Sequence, residues 1–287
     1  MKEKSRERIE VIEAYEELER QGIFDQDVEE DPEGRMILPG TVDYKQWSWT
    51  TRIKSKLAFA AARKYMKKIM AAGILRIKDV KGIENMNALN SGAVLTCNHF
   101  SAMDSFATQV AYEKSNQTKK RKLFRVIKEG NYTSFPGFYG RLMRNCNTLP
   151  LSSNMATMKE FLDGVHYQLE KGNFVLVYPE QSLWWNYRKP KPLKNGAFTF
   201  AVKANVPVLP IFICLEDSDV IGDDGFPIQD LTVFVDKPIY PDPSKETMEN
   251  VRAMAEANYQ CWKRIYEDFY KIPLTYTCDT KKERGQA

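Results

Sequence analysis

One of the two histidines in this 287-residue chain lies close to an aspartate, with four residues between His99 and Asp104. A neutral imidazole can accept a proton near pH 7, and a neighbouring carboxylate can fix its tautomer and stabilise the imidazolium that forms. The apolar residues 93–97, directly before the histidine, are typical of a buried strand. Such a strand ends at the edge of an α/β sheet where ligands usually bind. These residues therefore indicate the activation of a hydroxyl group.

The same residues allow simpler interpretations. Asp104 could merely cap the helix predicted after it, and His99 could be a structural residue held by hydrogen bonds. Cys97 is close enough to His99 to allow a cysteine–histidine nucleophile. A cysteine inside an apolar strand is, however, usually inert packing. The second histidine, His166, falls within a predicted helix and is interpreted as a surface or packing residue.

Composition limits the class of protein. Hydrophobic residues make up 43% of the chain and aromatic residues 12%, enough for a sizeable core. The five cysteines are scattered without metal-ligand spacing, so we expect a reduced, cytoplasmic protein without a metal site. No apolar run approaches the roughly 18 residues that a transmembrane helix needs, and the charged N-terminus lacks a signal-peptide core.

Positive charge is concentrated in residues 45–78, which contain ten Lys or Arg and no Asp or Glu. A helix predicted over about residues 50–72 would place Ala58, Phe59, Ala61, Ala62, Tyr65, Met66, Ile69 and Ala72 on one apolar face. We expect this segment to associate peripherally with an anionic membrane surface at the inner face of the cell membrane, with Trp47 and Trp49 at the interface. The alternative is a helix packed on the core with a solvated cationic face. No nucleic-acid motif accompanies the charge, so we expect no nucleic-acid partner.

Alternating strands and helices predict an α/β core over residues 80–240. A charged helix and loop (1–46), the basic segment (47–79) and a C-terminal helix and polar tail (241–287) complete the predicted organisation. Ser152 or Ser153 is the predicted N-cap of the long middle helix, and Gly172 its stop. The strands are predicted at 93–97, 123–127, 148–151, 174–178, 208–213 and 231–235, and the helices at 104–117, 153–171, 196–204 and about 244–270.

Three further motifs follow the His99–Asp104 pair in order. Residues 177–182 are Val-Tyr-Pro-Glu-Gln-Ser, residues 193–197 are Leu-Lys-Asn-Gly-Ala, and residues 206–211 are Val-Pro-Val-Leu-Pro-Ile. With Asn98 before the histidine, this set resembles the glycerolipid acyltransferase family over about residues 82–213. The resemblance implies a mixed sheet flanked by helices, with an N-terminal helical appendage.

The family resemblance implies an O-acyltransferase of phospholipid biosynthesis or remodelling. His99 would be the general base on a lysolipid hydroxyl, oriented by Asp104, and such a base contributes on the order of 10²–10⁴-fold. The acyl group would come from acyl-CoA or acyl carrier protein, with no bound cofactor and no metal. Asn98, Glu180 and Ser182 match motif positions and are predicted to bind substrate, although Glu180 could instead be a hydrogen-bonding residue of the turn.

The chain departs from the family where the acceptor's phosphate is bound. Gln181, Ser182 and Leu183 replace a Gly-Thr-Arg sequence, and Ser152-Ser153 follows a strand after which the family usually has an arginine. Leucine and serine cannot reproduce the bidentate fit of a guanidinium to phosphate. We therefore expect an acceptor preference different from that of 1-acylglycerol-3-phosphate acyltransferase, the type member.

Other cations could substitute for the missing arginines. Arg141, Arg144, Arg188 and Lys194 are predicted to bind substrate, and Lys189 and Lys191 also flank the motifs. Residues 184–187 (Trp-Trp-Asn-Tyr) could offer aromatic faces to a sugar or zwitterionic head group, or could pack in the core. The altered motif also keeps open a non-catalytic lipid-binding homologue.

Overall fold

The computed structural model describes residues 3–29 and 33–279. Helices cover both faces of a single sheet. Over these ranges the helices are α1 (Arg6–Gln21), α2 (Trp49–Ala71), α3 (Ile83–Asn87), α4 (Asp104–Lys114), α5 (Glu129–Thr133), α6 (Gly137–Asn145), α7 (Met155–Glu170), α8 (Gly196–Ala204) and α9 (Thr247–Tyr270).

Seven strands form the sheet in the described part of the chain. They are β1 (Arg76–Lys81), β2 (Ala93–Thr96), β3 (Leu123–Ile127), β4 (Thr148–Pro150), β5 (Phe174–Val177), β6 (Val208–Ile221) and β7 (Pro227–Val235). Their order is β1-β7-β6-β2-β5-β3-β4. Strands β2 to β6 run parallel, whereas β7 is antiparallel to β6 and parallel to β1. The predicted mixed sheet is confirmed, and the carboxyl ends of β2 to β5 meet at one edge.

The strand predictions hold with three differences, one of which is that β7 begins at Pro227, before the predicted start at residue 231. All six predicted strands are present, but β6 continues to Ile221 because it pairs with β7 well beyond the apolar part of its sequence. β1 was not predicted, since its sequence (Arg-Ile-Lys-Asp-Val-Lys) alternates weakly and is largely charged. Because β1 begins at Arg76, the sheet starts before residue 80.

Buried side chains alternate between the two faces of the sheet, as the pleat of a strand requires. Leu95 of β2 belongs to an apolar cluster with Ala107 of α4 and Met66 of α2. Its neighbour Val94 belongs to the opposite cluster, with Phe161 of α7 and with α8. Both faces of β2 are therefore buried, which explains its continuously apolar sequence.

The start of helix α7 corrects the predicted N-cap. Asn154 is the cap, and its Oδ1 accepts hydrogen bonds from two backbone N–H groups of the first turn. The hydroxyls of Ser152 and Ser153 donate instead to the carboxylate of Glu129. The predicted stop is confirmed at Gly172, which follows the helix with a φ of 80°.

Helix α2 confirms the helix predicted over about residues 50–72. Its buried residues are Ser55, Met66 and Ile69, so the predicted apolar face is covered mainly in its C-terminal half. Large apolar side chains on the other side, including Ile53 and Leu57, are exposed. No helix in the described ranges is long and apolar enough to cross a membrane.

Helix α1 confirms the charged helix predicted near the N-terminus. It is not simply solvated, because Val11 and Glu19 are buried against the rest of the protein. Helix α9 confirms the predicted C-terminal helix. The polar tail predicted beyond it, residues 281–284, lies outside the described residues.

The fully buried Phe161 and the 42% exposed Leu162 are neighbours on α7 and give a matched test of the core. Phe161→Ala should lower the free energy of unfolding by about 3–5 kcal/mol, because it removes a ring from a close-packed cluster. Leu162→Ala should change it by less than about 1 kcal/mol. Denaturant unfolding of both variants measures this, and similar losses would contradict the assigned core.

Candidate active site

The predicted catalytic pair lies at the carboxyl end of β2. His99 Nδ1 is 2.6 Å from Asp104 Oδ2. Because an ionised carboxylate only accepts hydrogen bonds, this contact assigns the proton to Nδ1 and leaves the lone pair on Nε2. The His99 side chain is 24% exposed, whereas that of Asp104 is 1% exposed. The arrangement is an accessible base with a buried orienting carboxylate.

Tyr178 completes the surroundings of this pair. Its hydroxyl donates to Asp104 Oδ1 at 2.8 Å, and its ring stacks on the His99 imidazole with centroids 4.2 Å apart. Burial raises the pKa of Tyr178 well above its usual value, so the hydroxyl stays a donor. Asp104 also lies in the first turn of α4, where the helix dipole favours a carboxylate. These contacts hold the Asp104 carboxyl group in a fixed position.

Glu180 joins the loops that follow β2 and β5. Its Oε2 accepts the backbone N–H of His99 at 3.0 Å, and its Oε1 accepts that of Lys191 at 2.9 Å. Lys191 Nζ lies 3.5 Å from Oε2, and both side chains are 1% exposed. Burial raises the pKa of Glu180 and lowers that of Lys191, and the charge of each opposes the shift of the other. Glu180 positions the catalytic histidine through its backbone.

Lys191 also organises Ser182. Its Nζ donates to the carbonyl oxygen and to Oγ of Ser182, at 2.7 and 2.9 Å. Ser182 Oγ in turn donates to the carbonyl of Phe24 at 2.6 Å, and Ser182 is fully buried. The Ser182 hydroxyl therefore has its hydrogen-bond partners within the protein. Direct contact of Glu180 or Ser182 with substrate stays a prediction.

Asn98 holds the end of β2 against β6. Its Nδ2 donates to the carbonyl of Ile213 at 3.0 Å, and its Oδ1 accepts the N–H of Ile213 at 2.8 Å. Asn98 is buried, and this paired side-chain contact joins the two strands beyond their last backbone pair, Thr96–Pro210. Its predicted contact with substrate is untested, and its position explains why an asparagine suits the residue before His99.

A segment near the N-terminus covers the loop after β5. Trp184 Nε1 donates to the carbonyl of Gln26 at 2.7 Å, and the N–H of Leu183 donates to Asp27 Oδ1 at 2.8 Å. The other oxygen of Asp27 forms an ion pair with Lys128. Leu183, at the position of the family's arginine, therefore contacts a carboxylate of this chain through its backbone N–H.

The predicted substrate-binding cations also contact the protein itself. Arg144 of α6 donates to two backbone carbonyls, and Arg141 is exposed on the same helix. The remaining flanking cations form ion pairs with N–O distances of 2.6 Å, namely Arg188–Asp217, Lys194–Asp25 and Lys189–Glu19. Their positive charges are therefore largely compensated by nearby carboxylates.

The aromatic residues after the motif pack inside the protein. Trp184 and Tyr187 are buried, and their rings lie 5.7 and 5.4 Å from that of Tyr15 on α1. The hydroxyl of Tyr187 donates to Glu19 Oε2 at 2.8 Å. The suggested aromatic surface for a head group is therefore wrong for these two residues, which instead dock α1 on the catalytic loop.

The structure does not favour a catalytic role for Cys97 or His166. Burial raises the pKa of the Cys97 thiol well above its usual value, which disfavours a cysteine nucleophile. His166 lies on α7, half exposed, with Nε2 3.2 Å from Glu170. Among the described residues no group of three or more His, Cys, Asp or Glu is placed to hold a metal ion.

Three residues of the site were not predicted from the sequence: Tyr178, Asp27 and Lys128. Strand pairing would have indicated Tyr178, since Thr96 pairs with Val177 and the next residues of both strands reach the same edge. Asp27 carries no such signal, because its contact with Leu183 joins residues 156 positions apart. Gln181 has a φ of 63°, a left-handed conformation that favours glycine, the residue the family has there.

His99, its buried partner Asp104 and Glu180 of the third motif lie together at one edge of a mixed sheet, as the resemblance to acyltransferases predicts. Residues 78–214 match the family model described as Acyltransferase. This match agrees with the resemblance of the four motifs to the glycerolipid acyltransferases.

Solved structures support the same fold, and 8 chains among them match. One is the crystal structure of the 1-acyl-sn-glycerophosphate (LPA) acyltransferase PlsC from Thermotoga maritima. It is 21% identical, with a TM-score of 0.52, and the match covers 79% of this chain and 91% of that chain. At this identity the likeness concerns the fold. No curated protein matches the sequence.

The buried Lys191–Glu180 pair predicts a large difference between two lysine variants. Lys191→Met should lower the free energy of unfolding by about 3–5 kcal/mol, because Glu180 is left as a buried charge without its cation. Lys194→Met, at an exposed pair, should lower it by less than about 1 kcal/mol. Denaturant unfolding measures both. The double variant Glu180→Gln/Lys191→Met should recover part of the loss, and equal effects of the single variants would rule out this role.

Proposed function

We propose that this acyltransferase moves a fatty acyl chain from a thioester, acyl-CoA or acyl carrier protein, to the hydroxyl of a lysophospholipid. The observation that carries the proposal is the contact of His99 Nδ1 with Asp104 Oδ2, which leaves Nε2 as a base on a partly exposed ring. The fold shared with PlsC from Thermotoga maritima, a 1-acyl-sn-glycerophosphate (LPA) acyltransferase, supports the lipid acceptor.

The reaction follows from this geometry as one acyl transfer without an acyl-enzyme. His99 Nε2 removes the proton of the acceptor hydroxyl while that oxygen attacks the thioester carbonyl carbon. Asp104 stabilises the imidazolium through Nδ1–H, and the Tyr178 hydroxyl holds Asp104 in place. The tetrahedral intermediate breaks its carbon–sulfur bond, and the imidazolium returns the proton to the thiolate. The products are the acylated lipid and a free thiol.

The two histidines provide a matched pair of variants for this mechanism. His99→Ala should lower kcat by on the order of 10²–10⁴-fold, because it removes the base. His166→Ala, on the exposed face of α7, should leave kcat within about twofold, because a surface change there touches neither substrate nor fold. Release of free thiol from acyl-CoA on addition of lysolipid measures both. Equal rates for the two variants would exclude His99 as the base.

The acceptor head group is proposed to differ from a simple phosphomonoester. Leu183 replaces the family arginine, and its N–H is taken by the Asp27 carboxylate. The same carboxylate pairs with Lys128, and Lys194 pairs with Asp25. A phosphomonoester would have to compete with these carboxylates for the same donors, at a cost in electrostatic repulsion. A neutral, zwitterionic or glycosylated head group meets no such competition.

Asp27 can be tested directly as the determinant of this preference. Asp27→Asn should raise kcat/KM for 1-acylglycerol-3-phosphate by about tenfold, equivalent to about 1.4 kcal/mol, because it removes a negative charge beside Lys128. Glu29→Gln makes the same charge change two residues away, where the carboxylate pairs with Arg8, and should have little effect.

A panel of lysolipid acceptors, assayed with acyl-CoA and with acyl carrier protein donors, measures the preference of the unaltered protein. Equal or better activity on 1-acylglycerol-3-phosphate than on every other lysolipid would refute the head-group proposal. That outcome would leave the acyl-transfer mechanism intact.

The protein is proposed to act at a membrane surface, where a lysolipid acceptor resides. Trp47 and Trp49 are exposed before and at the start of α2, and Ile53 and Leu57 continue the apolar surface along the helix. Tryptophan at the edge of a cationic helix suits the lipid–water interface. This arrangement supports peripheral association, in which the cations of α2 would meet anionic head groups.

A further inference from the structure

A cavity of about 650 Å³ lies between α2 and the sheet, away from the catalytic pair. Leu123, the first residue of β3, and Asn147, just before β4, line it. The cavity therefore adjoins the amino ends of these strands, whereas His99 follows the carboxyl end of the parallel strand β2. The two features occupy opposite edges of the sheet, and the proposed reaction makes no use of this cavity.

The cavity is lined by cations and by no carboxylate among the described residues. The cations are Arg52, Lys56, Arg63, Arg121 and Lys122. Arg63 is paired with the carboxylate of Glu113, and Arg121 is held against the protein by hydrogen bonds to Gln117 and to a backbone carbonyl. Arg52, Lys56 and Lys122 leave a concentrated positive charge facing the cavity.

The positive charges of Arg52 and Lys56 act on Lys122. Burial lowers the pKa of Lys122, and the charges of Arg52 and Lys56 lower it further. The Lys122 ammonium donates to Gln46 Oε1 at 2.9 Å, a neutral partner that does not offset the charge. A bound anion would relieve this repulsion, so the charge pattern favours an anionic ligand.

The mouth of the cavity is apolar. Trp49 and Ile53 line the cavity and are 67% and 47% exposed. Leu57 follows four residues later on the same face of α2 and is 68% exposed. Large apolar side chains exposed beside a cationic cavity suit a ligand that carries both an anionic group and an apolar part.

We propose that this cavity binds a phosphate ester, and that the ligand is the head group of an anionic membrane phospholipid. The phosphate lies among Arg52, Lys56 and Lys122, and the acyl chains pass over Trp49, Ile53 and Leu57 into the bilayer. The nucleotide end of the acyl-CoA donor carries the same phosphate chemistry and is the other source to be distinguished.

Two triple variants of equal charge test the proposal. The cavity variant is Arg52→Ala/Lys56→Ala/Lys122→Ala, and the control is Lys64→Ala/Lys67→Ala/Lys68→Ala, on exposed positions of α2 that do not line the cavity. Binding is measured to vesicles of phosphatidylcholine with and without phosphatidylglycerol, and to CoA in solution. Thermal unfolding of both variants confirms that they are folded.

The cavity variant should lose at least about tenfold more affinity for phosphatidylglycerol vesicles than the control, since each cation near such a surface contributes. If the cavity variant loses affinity for CoA but not for the vesicles, the cavity is a phosphate-ester site whose ligand is the acyl-CoA donor rather than a lipid. If the two variants lose affinity equally for both ligands, only diffuse charge attraction operates and the site is refuted. These are binding measurements, so they stand apart from whether the chain transfers acyl groups.

Discussion

A buried carboxylate must accept hydrogen bonds from the protein around it. In the predicted active site this requirement falls on Glu180, and its partners hold the site together. Its two oxygens take the backbone N–H groups of His99 and Lys191, which lie on separate loops. The Lys191 ammonium supplies the opposing charge and then fixes Ser182. Because the side chains of Glu180 and Lys191 are both buried, loss of either one would leave the other as an unpaired charge in the interior. The position of the imidazole thus depends on an ion pair that need not touch the substrate.

The elements that are indicated by residues close together in the sequence could be predicted from the sequence alone. The apolar run of β2, buried on both faces, marked both the strand and the loop that carries His99. The family resemblance assigned His99 and Glu180 to one site, and the sheet order brings the loops after β2 and β5 to one edge. The predicted bounds of helix α8 are correct, because its apolar residues and the residues that flank it indicate the same helix.

Other parts depend on partners distant in the sequence and carry no local signal. β1 is a mostly charged strand that exists because β7 offers it a pairing edge. Ser152 and Ser153 resemble caps, yet Glu129 competes for their hydroxyls and Asn154 takes the role. The aromatic residues Trp184 and Tyr187 were ambiguous between a ligand surface and packing, and only the position of α1 decides for packing. In each case tertiary contacts overrode a weaker local preference.

The docking of α1 on the catalytic loop also has a consequence for chain entropy. The hydrogen bond between Glu19 and Tyr187 closes a loop of 168 residues, and the entropy lost in such a closure amounts to about 4–5 kcal/mol from its logarithmic dependence on length. Doubling that length would add only about 0.6 kcal/mol. The intervening surface loops can therefore vary in length at little thermodynamic expense. During synthesis, however, the first helix of the chain has no docking partner until the polypeptide has grown past Tyr187.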